Sequence, residues 1–177
     1  MTTFENELRS RFGERLQTNA SLKPYTTLRI GGPARFLIEV EKRANLIEAY
    51  RLALNYRIPF YFLAGCSNVL ISDDGLPGLA VINRCRSIEW RGDRTVRIEG
   101  GCSLDRFVTE LSKRGWADLS FAAGIPGSVG GALAGGAGAY GRLVCEYLQQ
   151  ADVLHCDGGV ETMAAEGLGI QYRSSEA

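Results

Sequence analysis

Histidine is all but missing from this chain of 177 residues, where His155 stands alone. The five cysteines (Cys66, Cys85, Cys102, Cys145, Cys156) lie far apart, and no Cys-x-x-Cys occurs. That scarcity excludes the usual His/Cys zinc centres, and the expected state is five reduced thiols in a cytosolic protein. Lysine is scarce too, three against 17 arginines, and the net charge is zero. Nothing electrostatic therefore points to nucleic acid or to an anionic membrane. The arginines are scattered and accompanied by acids, as on a solvated surface. The stretch from Met1 to Leu16 is charged throughout and lacks an apolar secretory core, which argues for a cytoplasmic location.

Charge itself disappears between Asp118 and Arg142, where 23 residues carry none and eight glycines fall between Gly124 and Gly141. The length would suit a membrane helix, and Gly127, Gly131 and Gly135 have small-xxx-small spacing. Against that, Pro126 lies inside, few side chains are large and no basic cluster flanks the stretch. A flexible linker would be Gly/Ser-rich without the interleaved Ile125, Val129, Leu133 and Tyr140. The favoured reading is a cradle whose bare backbone comes close to a phosphate or a flat cofactor and points N–H groups at it.

Elsewhere the patterning is ordinary. Phe4, Leu8, Phe12 and Leu16 predict an amphipathic first helix, broken at Pro24 and Thr26. Residues 28–41 read as strand, tight turn and strand around Gly31-Gly32-Pro33. A helix is expected over 42–55, with Leu46, Ile47, Tyr50 and Leu54 on its buried face, then a buried strand at Phe60–Ala64. These make a βαβ unit. Further strands are expected at Val69–Ile71 and Leu79–Asn83, a hairpin around Arg91–Arg94, a helix over Leu104–Arg114, and a second hairpin around Asp157–Gly159. The class is α+β, divided as an N-terminal helix over 1–24, a βαβ subdomain over 25–83 and a mixed subdomain over 84–177. Asp73, Asp74 and His155 read as turn or surface residues, and Tyr61, Trp90 and Trp116 as packing.

The loop Gly65-Cys66-Ser67-Asn68 follows a strand and offers backbone N–H groups, a hydroxyl and an amide, donors able to hold a pyrophosphate without lysine. It is neither a Walker A loop nor Gly-x-Gly-x-x-Gly, and the same residues also make common turns. Segment order sharpens this. Residues 26–35, 62–76, 121–133, 137–141 and 170–176, with Gly124-Ile125-Pro126-Gly127-Ser128-Val129-Gly130-Gly131 and Gly138-Ala139-Tyr140-Gly141 at their centre, resemble the UDP-N-acetylenolpyruvoylglucosamine reductase family. These are flavoproteins of the PCMH-type FAD-binding fold.

The resemblance implies FAD as cofactor, NADPH as transient reductant, and hydride delivery to an enolpyruvyl UDP-sugar in peptidoglycan precursor synthesis. It places Gly65, Cys66, Ser67 and Asn68 on the FAD pyrophosphate. It places Gly124, Ile125, Pro126, Gly127, Ser128, Gly131 and Ala132, with Tyr140, along the flavin, so that the two loops form opposing jaws. Arg173, beside Tyr172, becomes the catalytic cation, stabilising charge on the substrate carboxylate.

Three departures accompany the match. Ala64 and Cys66 stand where the family's loop carries glycines. Gly135-Gly136-Ala137 lacks the asparagine found two residues before Gly-Ala-Tyr-Gly. The sequence ends at Ala177, whereas family members continue into a substrate domain with a proton-donating serine and a late glutamate. Three expectations stay open: a truncated reductase, a flavin-binding module completed by another chain that supplies the UDP-sugar site, and a remnant that binds nothing.

Overall fold

The computed structural model describes residues 3–116 and 118–175. Two compact units divide the chain, Met1–Cys85 and Arg86–Ala177.

In the first unit, α1 (Thr3–Phe12) buries Phe4, Leu8 and Phe12, the residues spaced by four. Gly13, with a positive φ, ends it in a 3-10 turn (Gly13–Arg15). Leu16 is buried but lies beyond the helix, and β1 (Gln17–Ser21) follows. The sequence pattern gave no sign of this strand, because Gln-Thr-Asn-Ala-Ser is polar and mostly exposed. It exists because it pairs antiparallel with β2 (Pro33–Val40), Gln17 opposite Leu37 and Ser21 opposite Pro33. The expected strand at 28–32 is absent; those residues form a loop closed on Thr26.

Next come α2 (Arg43–Asn55), β3 (Phe60–Leu63) and β4 (Leu76–Asn83). The sheet order is β1-β2-β4-β3, with β2 and β3 both parallel to β4, as a βαβ unit requires. Central β2 and β4 are covered on both faces, which explains their unbroken apolar runs. Phe36, Ile38, Val40, Leu79 and Val81 face α1 and α2, while Leu37, Ala80 and Ile82 meet Leu22 and Ile71.

Three expectations need correction here. β3 is an edge strand, so it is only half-buried and Phe62 lies exposed. On α2 the buried residues are Ala49, Leu52 and Ala53, whereas Leu54 turns outward. Val69–Ile71 forms no strand; Ile71 alone reaches the core and Leu70 is exposed.

The second unit opens with the hairpin β5 (Ile88–Trp90) and β6 (Val96–Ile98), then α3 (Leu104–Lys113), capped by Ser103 and burying Leu104, Phe107, Val108 and Leu111. The charge-free stretch then folds as a 3-10 turn (Ser120–Ala122), a loop, the short α4 (Val129–Ala134) and a tight hairpin of β7 (Gly138–Ala139) and β8 (Arg142–Leu143). No helix among the described residues is long and apolar enough to cross a membrane. A 3-10 turn (Val144–Tyr147), the hairpin β9 (Gln150–Leu154) and β10 (Val160–Ala164), and a last 3-10 turn (Ala165–Leu168) complete the unit. Its core gathers Cys102, the α3 residues, Leu119, Ala122, Val129, Ala132 and Val144, with Trp90 edge-on to Trp116 at 5.7 Å between ring centroids.

Leu8 is fully buried between α1 and the sheet. Truncation by Leu8→Ala is expected to cost about 2–5 kcal/mol, read as a lower urea midpoint with an unchanged slope. An unshifted midpoint would mean that α1 does not belong to this core.

Candidate functional site: two backbone-lined loops

The Gly65 loop occupies the turn after edge strand β3 in the first unit. Gly65 and Asn68 are exposed, Ser67 is half-buried, and Cys66 is buried with φ +48°. A non-glycine residue there costs roughly 1–2 kcal/mol, so the surroundings must hold it. They do so through an adjoining loop. The Thr27 N–H donates to Cys66 O (3.2 Å) and the Gly32 N–H to Ser72 O (2.8 Å). That adjoining loop is closed by buried Thr26, whose hydroxyl donates to Ile30 O (2.8 Å) and accepts from the Ile30 N–H (3.2 Å). Burial pushes the Cys66 thiol above its ordinary pKa, which keeps it protonated and poorly nucleophilic. Cys66 is thus a packing residue whose backbone shapes the turn.

The glycine-rich loop of the second unit is held by two helix starts lying side by side. Ser103 Oγ accepts from the Arg106 N–H at the head of α3, and Ser128 Oγ from the Gly131 N–H (3.1 Å) at the head of α4. Between these starts the Leu104 N–H donates to Gly127 O (3.1 Å), the Val129 N–H to Cys102 O (2.8 Å) and the Gly130 N–H to Gly100 O (2.9 Å). A Cβ at Gly130 would lie 3.0 Å from Gly100 O and 3.1 Å from Gly100 Cα, so only the absence of side chains lets the strands of loop approach. Asp105 reaches across from α3 and accepts from the Gly124 N–H at 2.9 Å.

This loop presents backbone. Gly124, Pro126 and Gly131 are exposed, and Ile125 and Gly127 half-exposed, while Ser128 and Ala132 turn their side chains into the cap and the core. Tyr140, 92% exposed, sits at the tip of the β7–β8 hairpin. Tyr172 and Arg173 are exposed as well, the guanidinium carbon 5.3 Å from the Tyr172 ring centroid. Their turn docks on the far end of α4, where the Arg173 N–H donates to Gly136 O (3.2 Å) and the Ser175 hydroxyl to Ala134 O (2.7 Å). The second unit therefore brings Gly124–Ala132, Tyr140 and Arg173 into one hydrogen-bonded assembly around α4, while Gly65–Asn68 belongs to the first unit. A cleft of about 380 Å³ in the first unit, with Glu5, Arg35 and Asp74 among its walls, includes none of the Gly65-loop residues.

Against known proteins, the profile described as FAD binding domain matches residues 34–164. The chain belongs to this FAD-binding-domain family. Its geometry fits that group: the exposed glycine backbone, with nothing within 4 Å of a Cβ at Gly124, is a surface a flat cofactor can approach. Among curated relatives, UDP-N-acetylenolpyruvoylglucosamine reductase 2 of Symbiobacterium thermophilum is 39% identical over 163 residues, 91% of this chain and 53% of that protein. The corresponding reductase of Acaryochloris marina is 38% identical over 90% of this chain and 53% of its own length. The crystal structure of the reductase from Thermus caldophilus superposes with a TM-score of 0.72 at 31% identity, over 92% of this chain and 56% of that one. This FAD-binding domain thus spans about half the length of the curated relatives it matches.

Sequence reasoning overlooked Thr26, Gly100, Asp105 and Ser175, which hold the loops in place. Ser103 was overlooked as well, although a serine directly before the apolar face of α3 is the signal of a helix cap. The partners of Asp105 and Ser175 lie far along the chain, in the glycine-rich loop and at the end of α4, and left no local trace. Thr26, by contrast, bonds to Ile30 four residues on, within a segment whose pattern reads as extended.

Thr26→Val removes both hydrogen bonds at nearly constant volume and is expected to lower unfolding free energy by about 1–3 kcal/mol, with Thr26→Ser restoring most of it. Ser128→Ala uncaps α4 at a cost of about 1 kcal/mol. Denaturant titration of the three variants checks both, and equal stability for Thr26→Val and Thr26→Ser would contradict the hydroxyl's role.

Proposed function

We propose that this chain binds FAD and acts as the FAD-binding half of a reductase of the UDP-N-acetylenolpyruvoylglucosamine type. The observation carrying the proposal is the 39% identity to such a reductase over 91% of the chain, which takes in both backbone-lined loops.

In this reading Gly65, Cys66, Ser67 and Asn68 offer N–H groups and polar side chains to the pyrophosphate, where no lysine is needed because several weak dipoles converge. Gly124, Ile125, Pro126, Gly127, Ser128, Gly131 and Ala132 line the flavin with backbone. Tyr140, free at its hairpin tip, closes over it. Bound FAD supplies the hydride chemistry, with NADPH as reductant and an enolpyruvyl UDP-sugar as acceptor. Arg173 holds a positive charge where the substrate carboxylate accumulates negative charge. Proton donation is assigned to no residue of this chain. It belongs to the part of the relatives that the chain does not span, so complete turnover requires that part, in the same polypeptide or another. The compartment proposed is the cytoplasm, and the pathway peptidoglycan precursor synthesis.

Incubation with FAD followed by desalting should leave flavin absorbance bands at about one FAD per chain, and Gly124→Val should weaken retention. A protein that stays colourless would overturn the proposal.

A further inference from the structure

We propose that Gly136 and Ser175 are positioning residues for Arg173, clamping the turn that carries it to the C-terminal end of α4 in a single register. This rests on the reading above, in which Arg173 is the cation at the substrate carboxylate and so stands close to the flavin that delivers hydride to the adjacent carbon.

The turn has little else to hold it. Tyr172 is 62% exposed and Gln171, Arg173 and Ser174 are exposed too, so apolar burial cannot set its position. Hydrogen bonds do. Within the turn the Gln171 N–H donates to Ser174 O (2.9 Å) and the Ser174 N–H to Gln171 O (3.1 Å). Outside it, the Arg173 N–H donates to Gly136 O (3.2 Å) and the Ser175 hydroxyl to Ala134 O (2.7 Å). Gly136 and Ala134 are in turn fixed by α4: the Gly136 N–H closes the helix on Leu133 O at 3.0 Å.

Sterics make this register exclusive. Gly136 has φ +54°, and a Cβ there would lie 1.7 Å from Gln171 O and 2.8 Å from Arg173 N. No side chain at 136 is compatible with the turn in its present place. Arg173 itself adopts φ +65°, in the left-handed region that is costly for a residue bearing a side chain. The two anchors to α4 offset that cost. The backbone position from which the Arg173 side chain departs is therefore decided by the bareness of residue 136, a residue that need touch neither cofactor nor substrate.

Two readouts on the full chain test this. The first is amide hydrogen exchange without cofactor. Wild type should protect the Arg173 N–H, Gly136→Ala should reduce that protection at least tenfold, and Ser175→Ala should reduce it less, with Ser175→Thr restoring it. An Arg173 amide unprotected in the wild-type chain would overturn the clamp whatever the flavin does.

The second is the reduction potential of bound FAD. Arg173→Ala should lower it by removing a nearby positive charge, Gly136→Ala should lower it in the same direction, and the double variant should match Arg173→Ala alone. A potential moved by Arg173→Ala but not by Gly136→Ala would overturn the positioning role while sparing the reading of Arg173. A potential that Arg173→Ala leaves unmoved would overturn that reading and, with it, the role of the clamp toward flavin. If Gly136→Ala fails to fold, the Ser175→Ala and Ser175→Thr pair decides the same question.

Discussion

Contact between bare backbones at Gly100 and Gly130 is the constraint on which the second unit depends. It sets the heads of α3 and α4 side by side, so that Ser103 and Ser128 cap neighbouring helices and the intervening loop is exchanged between them by hydrogen bonds. A methyl group at Gly130 would press on Gly100 O and Cα at 3.0 and 3.1 Å, and one at Gly100 on Gly130 Cα at 3.3 Å, so the neighbouring backbone would have to give way. Once the heads are fixed, α4 delivers Gly136 and Ala134 at its other end as acceptors for the Tyr172–Arg173 turn. The hairpin carrying Tyr140 follows directly from the same helix. A loop poor in side chains is thereby as well determined as a packed core, through donors and acceptors in place of apolar area.

The same economy governs electrostatics. Neither loop carries a lysine or arginine, and the charged residue that enters, Asp105, is engaged with the Gly124 N–H. Any attraction for an anionic cofactor comes from oriented amide dipoles, which is the arrangement expected where backbone must lie against a flat ring. The proposed cation, Arg173, stands apart in a turn with its own anchorage. In the proposed function the labour divides accordingly: glycine-rich backbone for shape and cofactor contact, one guanidinium for charge.

The chain's relation to its relatives fits this division. About half of a UDP-N-acetylenolpyruvoylglucosamine reductase is matched, and both glycine loops fall inside the matched part. The departures noted in the sequence also find physical places. Cys66 takes up a left-handed backbone position suited to glycine, and the neighbouring loop holds it there. Gly136, where the resembled family has an asparagine, leaves no room for a side chain because the Gln171–Ser174 turn occupies that space.

By itself the sequence determined the helices with regular apolar spacing, the central strands with unbroken apolar runs, the hairpins at Arg91–Arg94 and Asp157–Gly159 and the bare, exposed backbone of the glycine stretch. Each of these signals is local, carried by a spacing or a composition within a few residues. Tertiary structure alone decided β1, whose polar residues become a strand only by pairing with β2, and the edge position that exposes Phe62 on β3. It closed residues 26–30 into a loop on Thr26 where extended chain was expected. It alone decided that Asp105 and Ser175 hold the glycine-rich loop and the Arg173 turn, because each acts on a backbone group far along the chain. Hydrogen bonds from side chain to distant backbone leave no periodicity, so no reading along the chain could have found them.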